Sequence, residues 1–237
     1  MTGDIQIFDG DEHKISSTAL HPVGTKGLTT DGRVFRYSLA GGVTLSPGKL
    51  CVAATQNSAH ENMAVAAAAA VGATSVSVTL GAAAVTANQF AGGYLVINDA
   101  TGEGIAYPVS GHPAHAGTGA LAVSLAKPVQ VALTTSSEAS LIANPWSGVV
   151  ISIADQLDMP VGVPNVAITN AYYGWLQTRG VCAVLADETL AVGENLTIGS
   201  STVGAVEEND GVGEANVGVA IQAGVDTEYR AVFLQID

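Results

Sequence analysis

Alternation of polar and apolar residues is the strongest pattern in this chain. Thr74-Ser75-Val76-Ser77-Val78-Thr79-Leu80 alternates throughout, which predicts a strand with one face buried. Further strands are predicted at 93–98, 104–109, 120–125 and 129–133. Turn signals separate them: Asp99-Ala100-Thr101-Gly102, then Gly111, Pro113, Gly117 and Gly119, then Pro128. A strand and turn recur about every ten residues, the spacing of a sandwich or barrel.

Upstream, Val34, Phe35, Tyr37 and Leu39 mark a strand, Ala40-Gly41-Gly42 a turn, and 49–54 a returning strand. Together they predict a hairpin over 33–55. The alanine-rich stretch 61–71 has high helix propensity but is uniformly apolar, so helix and strand both stay open there. Residues 136–165, with Pro145, Pro160 and Pro164, read as loops around one strand near 149–153. Short strands resume at 173–178, 182–185, 195–198, 217–223 and 229–236, with 207–211 as a solvated acidic turn. Residues 1–32 are polar and lack a sustained period, as in a frayed terminus or an arm that orders on a partner. The expected organisation is an N-terminal arm over 1–32, a β domain over 33–145 and a C-terminal β subdomain over 146–237. The expected fold is all-β, a sandwich or barrel-like structure with an extended N-terminal arm and little helix.

Composition sharpens this picture. Of 237 residues, 48% are hydrophobic but only 5% aromatic, so the apolar content is mainly Ala and Val. Small side chains suit stacked strands and close subunit packing better than a deep ligand pocket. Charged residues make up only 12%, which points to surface covered in an oligomer or larger assembly. The net charge is −13, unevenly spread: residues 1–49 hold five acids and five bases, and the remainder carries the whole excess. An acidic body disfavours nucleic-acid backbones and anionic membranes as partners. Residues 62–98 hold no charge, but their alternation and glycines argue against a membrane span. The N-terminus lacks the pattern of a signal peptide, so synthesis in the cytoplasm is expected.

Candidate chemistry is sparse. His112 and His115 flank Pro113 with no third ligand nearby, so loop histidines are expected rather than a zinc site. Asp9, Asp11, Glu12 and His13 lack the spacing of a calcium loop, as do Glu207, Glu208, Asp210 and Glu214. Gly41-Gly42-Val43-Thr44-Leu45-Ser46-Pro47-Gly48-Lys49 departs from a phosphate loop, since no Ser or Thr follows Lys49 and Pro47 removes a backbone donor. No nucleophile elbow or paired-carboxylate signature stands out. Asn195-Leu196-Thr197 fits a glycosylation triplet of a kind that arises by chance. Cys51 and Cys182 sit in apolar stretches, as buried free thiols do. No catalytic, cofactor-binding or metal-binding residue is therefore assigned. The best-defined patch is Tyr172-Tyr173-Gly174-Trp175 with Arg179, either a sugar platform or a strand buried in a core or interface. Burial is the expected reading.

Three segments, in order, resemble a known family. Gly32-Arg33-Val34-Phe35-Arg36-Tyr37, then Ala40-Gly41-Gly42 and Leu45-Ser46-Pro47-Gly48-Lys49-Leu50, are similar to the N-terminal part of capsid decoration (cement) proteins of tailed phages. Gly92-Gly93-Tyr94-Leu95-Val96-Ile97-Asn98-Asp99 with Gly102-Glu103-Gly104 resembles their middle. Tyr173-Gly174-Trp175-Leu176-Gln177-Thr178-Arg179-Gly180, Val217-Gly218-Val219-Ala220 and Tyr229-Arg230-Ala231-Val232-Phe233-Leu234 resemble their C-terminal part. The resemblance implies a β-rich protein, jelly-roll or β-tulip-like, on the outer surface of the expanded capsid. It implies no enzymatic activity and no cofactor. The implied partners are the major capsid protein and further copies of the chain, a trimer before a dimer. A carbohydrate-binding virion adhesin or fibre domain is the alternative.

Overall fold

The computed structural model describes residues 4–153, 156, 158–211 and 213–237. The described chain is nearly all β, with no α-helix and two single-turn 3-10 segments, as expected from the alternation. It packs into two units, one built from 1–54 and 145–237 and the other from 55–144.

In chain order, the larger unit begins with β1 (Ile5–Gln6), β2 (Lys26–Leu28), β3 (Val34–Ala40) and β4 (Cys51–Val52). The smaller unit follows as β5 (Met63–Ala64), β6 (Ser75–Leu80), β7 (Tyr94–Asp99), β8 (Ala106–Gly111), β9 (Gly119–Leu125) and β10 (Glu138–Ile142). The chain then returns to the larger unit as β11 (Ser147–Ile151), β12 (Pro160–Pro164), β13 (Tyr173–Ala186), β14 (Asn195–Ile198), β15 (Ala205–Glu208), β16 (Gly218–Ala220) and β17 (Tyr229–Gln235).

This division corrects the expected one. The smaller unit is an insertion within the larger, and the expected boundary at 145 is only its exit. The sequence pattern conceals the entry at 54 because strand alternation looks the same on either side. The N-terminal arm is also no loose lead-in. β1 pairs in parallel with β2, which pairs with β3, and Ile7 is buried against Phe35, Tyr37 and Trp175.

The inserted unit is a six-stranded barrel-like sheet ordered β5-β10-β7-β8-β9-β6. A bridge between Val65 and Val78, with the Ala66 N–H donating to the Ser77 carbonyl at 2.8 Å, brings its two ends together. Closure leaves few unpaired edges for other chains to extend. Alternation decides the faces. Val76, Val78 and Leu80 on β6 point inward with Leu121, Val123 and Leu125 on β9, while Ala120, Ala122 and Ser124 point out. The stretch 61–71 is not a helix. It runs extended beside 129–133, exchanging backbone bonds between Ala69 and Leu133 at 2.8 and 3.0 Å. Residues 129–133 therefore form this irregular pairing and not the regular strand expected, although Val129 and Leu133 are buried as the pattern required.

In the larger unit, the expected hairpin over 33–55 does not form. β11 lies between β3 and β4 and pairs with both. Glycines permit it: a Cβ on Gly41 would sit 2.6 Å from the Gly148 carbonyl oxygen. The expected strands 173–178 and 182–185 are one continuous strand, β13. Its first half pairs with β3 and its second half with β17. The register shifts between Gln177 and Arg179, and Gly180 adopts a φ of +92°. A side chain at Gly180 would be strained in that backbone and would meet Arg33 at 3.1 Å. Gly180→Val is expected to destabilise the protein by about 1–3 kcal/mol, read as a lower urea midpoint. An unchanged midpoint would show that the bend is not required.

Candidate functional surface

The aromatic patch lies under the N-terminal arm. Trp175 on β13 sits opposite Tyr37 on β3, their rings edge-to-face with centroids 5.1 Å apart. Tyr173 stacks on Tyr37 at 5.9 Å, and His21 packs 5.2 Å from Tyr37 and 5.5 Å from Trp175. The Leu20 N–H donates to the Tyr37 hydroxyl at 3.1 Å, and burial pushes that phenol up from its ordinary pKa. Trp175 is only 4% exposed, Tyr173 is half-buried and Tyr172 is exposed. Sugars stack on open ring faces, so a ring as covered as Trp175 serves as core.

The arm that covers these rings presents apolar side chains to solvent. Phe8 is 67% and Leu20 63% exposed, and Ile15 is also exposed. A cavity of about 270 Å³ brings Phe8 and Leu20 together with Tyr37, Trp175, His21 and Lys14. Sequence reading passed over Phe8 and Leu20, because single apolar residues in a polar segment carry no period. Their signal was the mismatch itself. Two of the arm's acids are engaged: Asp11 pairs with Lys14 at 2.6 Å, and Glu12 is buried, accepting from the Gly10 N–H at 2.9 Å beside Arg33.

A larger groove of about 620 Å³ runs along β13, lined by Arg33, Pro47, Asn165, Gln177, Cys182 and Tyr229 among others. Its buried polar groups are engaged. The Gln177 amide donates to the Arg179 and Val181 carbonyls at 3.1 and 2.9 Å and accepts from Asn165 at 3.2 Å. Cys182 and Cys51 are buried free thiols. Burial pushes the Cys182 thiol up to about 12 and raises that of Cys51 as well, so neither is a ready nucleophile.

The other sequence candidates are dispersed. The phosphate-loop look-alike spends its backbone donors internally: Leu45, Gly48 and Leu50 donate to the carbonyls of Ile168, Pro164 and Gly204. His112 accepts from the Phe90 N–H at 3.1 Å and contacts the Pro113 carbonyl at 2.9 Å, while His115 accepts from the Gly117 N–H at 3.2 Å. Among the described residues, no three His, Cys, Asp or Glu side chains are placed to hold a metal. Glu207 and Glu208 lie in β15, not in a turn as expected, and Glu207 accepts from Ser200 and Gln156. Asn195 is exposed at the start of β14, while Thr197 is fully buried.

The least expected histidine is His60. It is 2% exposed in the inserted unit and packs edge-on against Phe90. Burial lowers its pKa, against the raising effect of a hydrogen bond with the Ala83 backbone, and the neighbouring His112 lowers it further. No family model, curated protein or solved structure matches this chain.

Two outcomes are expected. Trp175→Ala should cost on the order of 3–5 kcal/mol and yield aggregation-prone protein. A soluble variant with unchanged thermal stability would remove Trp175 from the core. His60 has a folded pKa below its unfolded value near 6.5, so its contribution is complete above that pH and is lost as pH falls towards the folded pKa. The loss is at most about 1.4 kcal/mol per pH unit, the slope for one proton. Urea titrations at pH 7.5 and 5.5 should show it, and His60→Leu should flatten it.

Proposed function

We propose that this chain is a structural virion protein that binds the outer surface of the expanded phage capsid and stabilises it, acting as a homo-oligomer with the major capsid protein as partner. The observation that carries the proposal is the arm. Its backbone is fixed to the sheet through β1 and β2, yet Phe8, Ile15 and Leu20 face solvent. Ordered apolar side chains facing water on an arm are what a protein partner covers. The ordered resemblance of three segments to decoration proteins supports the same reading. The rival reading, a carbohydrate-binding adhesin, draws on Tyr172 and the half-buried Tyr173, since Trp175 is covered.

Stabilisation follows from linkage. A protein that binds only the expanded lattice shifts the equilibrium towards it, and many copies on a symmetric shell add their effects. Deleting the arm would not test this cleanly, because Ile7 belongs to the core. The test is the double variant Phe8→Asp, Leu20→Asp, mixed with expanded capsids stripped of decoration and spun through a sucrose cushion. Unmodified protein should pellet saturably and raise the heat resistance of the shells, and the variant should stay in the supernatant with an unchanged circular dichroism spectrum. Failure of folded, unmodified protein to pellet would overturn the reading and make a glycan screen the next step.

A further inference from the structure

The outward face of the β13-β17-β16 sheet is apolar across three strands. On β13, Cys182 and Val184 face the core, so Val181 and Ala183 face out; on β17, Val232 and Leu234 face the core, so Ala231 and Phe233 face out. The register aligns them. Val181 lies opposite Phe233, and Phe233 opposite Val219. In the next row Ala183 lies opposite Ala231, and Ile221 donates its N–H to the Ala231 carbonyl at 3.1 Å. Val181 is 53% and Ile221 44% exposed, and Tyr229 extends the strip at its end. Directly opposed side chains on one face form a continuous surface rather than scattered contacts.

One border of this strip is acidic, and the other presents the exposed Arg179 beside an Arg33 already paired with Asp31 and Glu12. Beyond Val181 lie Arg33, which shares a hollow with Val181 and Phe233, and Arg179, exposed on the same face of β13. Asp31 and Glu12 pair with Arg33, which leaves Arg179 as the more available cation. On the other side, Val219 pairs with Asn195 on β14. Glu194 precedes Asn195, and Glu208 lies close to Glu194, Glu188 and Asp210, whose combined repulsion raises its pKa. Three strand spacings, about 14 Å, separate the borders.

We infer that this strip is the surface through which a second copy of the chain associates, with the basic border of one copy against the acidic border of the next. This inference deepens the proposed homo-oligomer by naming its surface. The occupant follows from charge. Each copy offers an apolar centre with one cationic and one anionic margin, so a second copy supplies both the missing apolar cover and the opposite charges. A partner of one sign would satisfy one margin and repel the other.

Sedimentation velocity on the isolated full chain tests this without capsids. The unmodified protein should associate over 1–100 µM, on the order of the range in which modest interfaces assemble. Phe233→Asp should abolish it with an unchanged circular dichroism spectrum. Arg179→Glu and Glu208→Arg should each weaken it, and the two together should restore it. A monomeric unmodified protein overturns the inference, and so does association indifferent to Phe233→Asp or to both charge reversals. Capsid pelleting separates this result from the proposed function: a monomer that pellets sinks only the surface assigned here, and an oligomer that does not pellet sinks only the capsid role.

Discussion

The larger unit depends on one bent strand. β13 runs through fourteen residues, pairing with β3 before Gly180 and with β17 after it, and also with β12 and β15. β3 comes from the start of the chain and β17 from its end, so β13 joins both to the middle. A straight strand of L-residues would keep one partner on each edge. The register shift at Gln177–Arg179 and the positive φ of Gly180 let it change partners without losing its ladder. Arg36 on β3 adds a second link between the same parts. Its guanidinium grips Asp237 through two bonds of 2.7 and 2.9 Å, donates to the Gly24 carbonyl at 2.9 Å and lies over the Trp146 ring at 4.7 Å. That grip holds the Asp237 carboxyl below its ordinary range.

The inserted unit meets a different constraint, that of building a surface with almost no charge. Its strands turn Val, Leu and Ile inward and leave Ala, Ser and Thr outside. Such a surface has little electrostatic repulsion against neighbours and little affinity for wrong pairings at open edges, because its strand order returns on itself. His60 departs from this economy of polar groups: it is buried and packs its ring edge-on to Phe90. The site tolerates it because a neutral imidazole costs far less to bury than a charged one.

Charge, scarce in the insert, is organised in the larger unit. Part of the charge at the arm is paired locally, Lys14 with Asp11 and the neighbouring Arg33 with Asp31 and Glu12. Among the described residues, the acids around Glu208 have no cationic partner, and their mutual repulsion raises its pKa. Under the proposed reading, low charge density, exposed apolar side chains on the arm and the apolar sheet face would all be relieved by contact with other chains.

The sequence by itself determined the class of fold and the facing of most strands. Val76, Val78, Leu121 and Val123 could be assigned inward from alternation alone, because in a strand the side-chain period is a local property. It favoured a buried Trp175 over a sugar platform, and the 4% exposure of that ring in the fold agrees. What it left open was every choice of partner. The pairing of β3 with β11 rather than β4, the insertion of 55–144, and the docking of 4–28 onto the sheet are long-range matches between backbones. Backbone hydrogen bonds are chemically alike at every residue, so the sequence does not mark which strand each will join. Only tertiary structure decided that Phe8 and Leu20 face solvent, that His60 does not, and that Val181, Phe233 and Val219, far apart in the chain, form one surface.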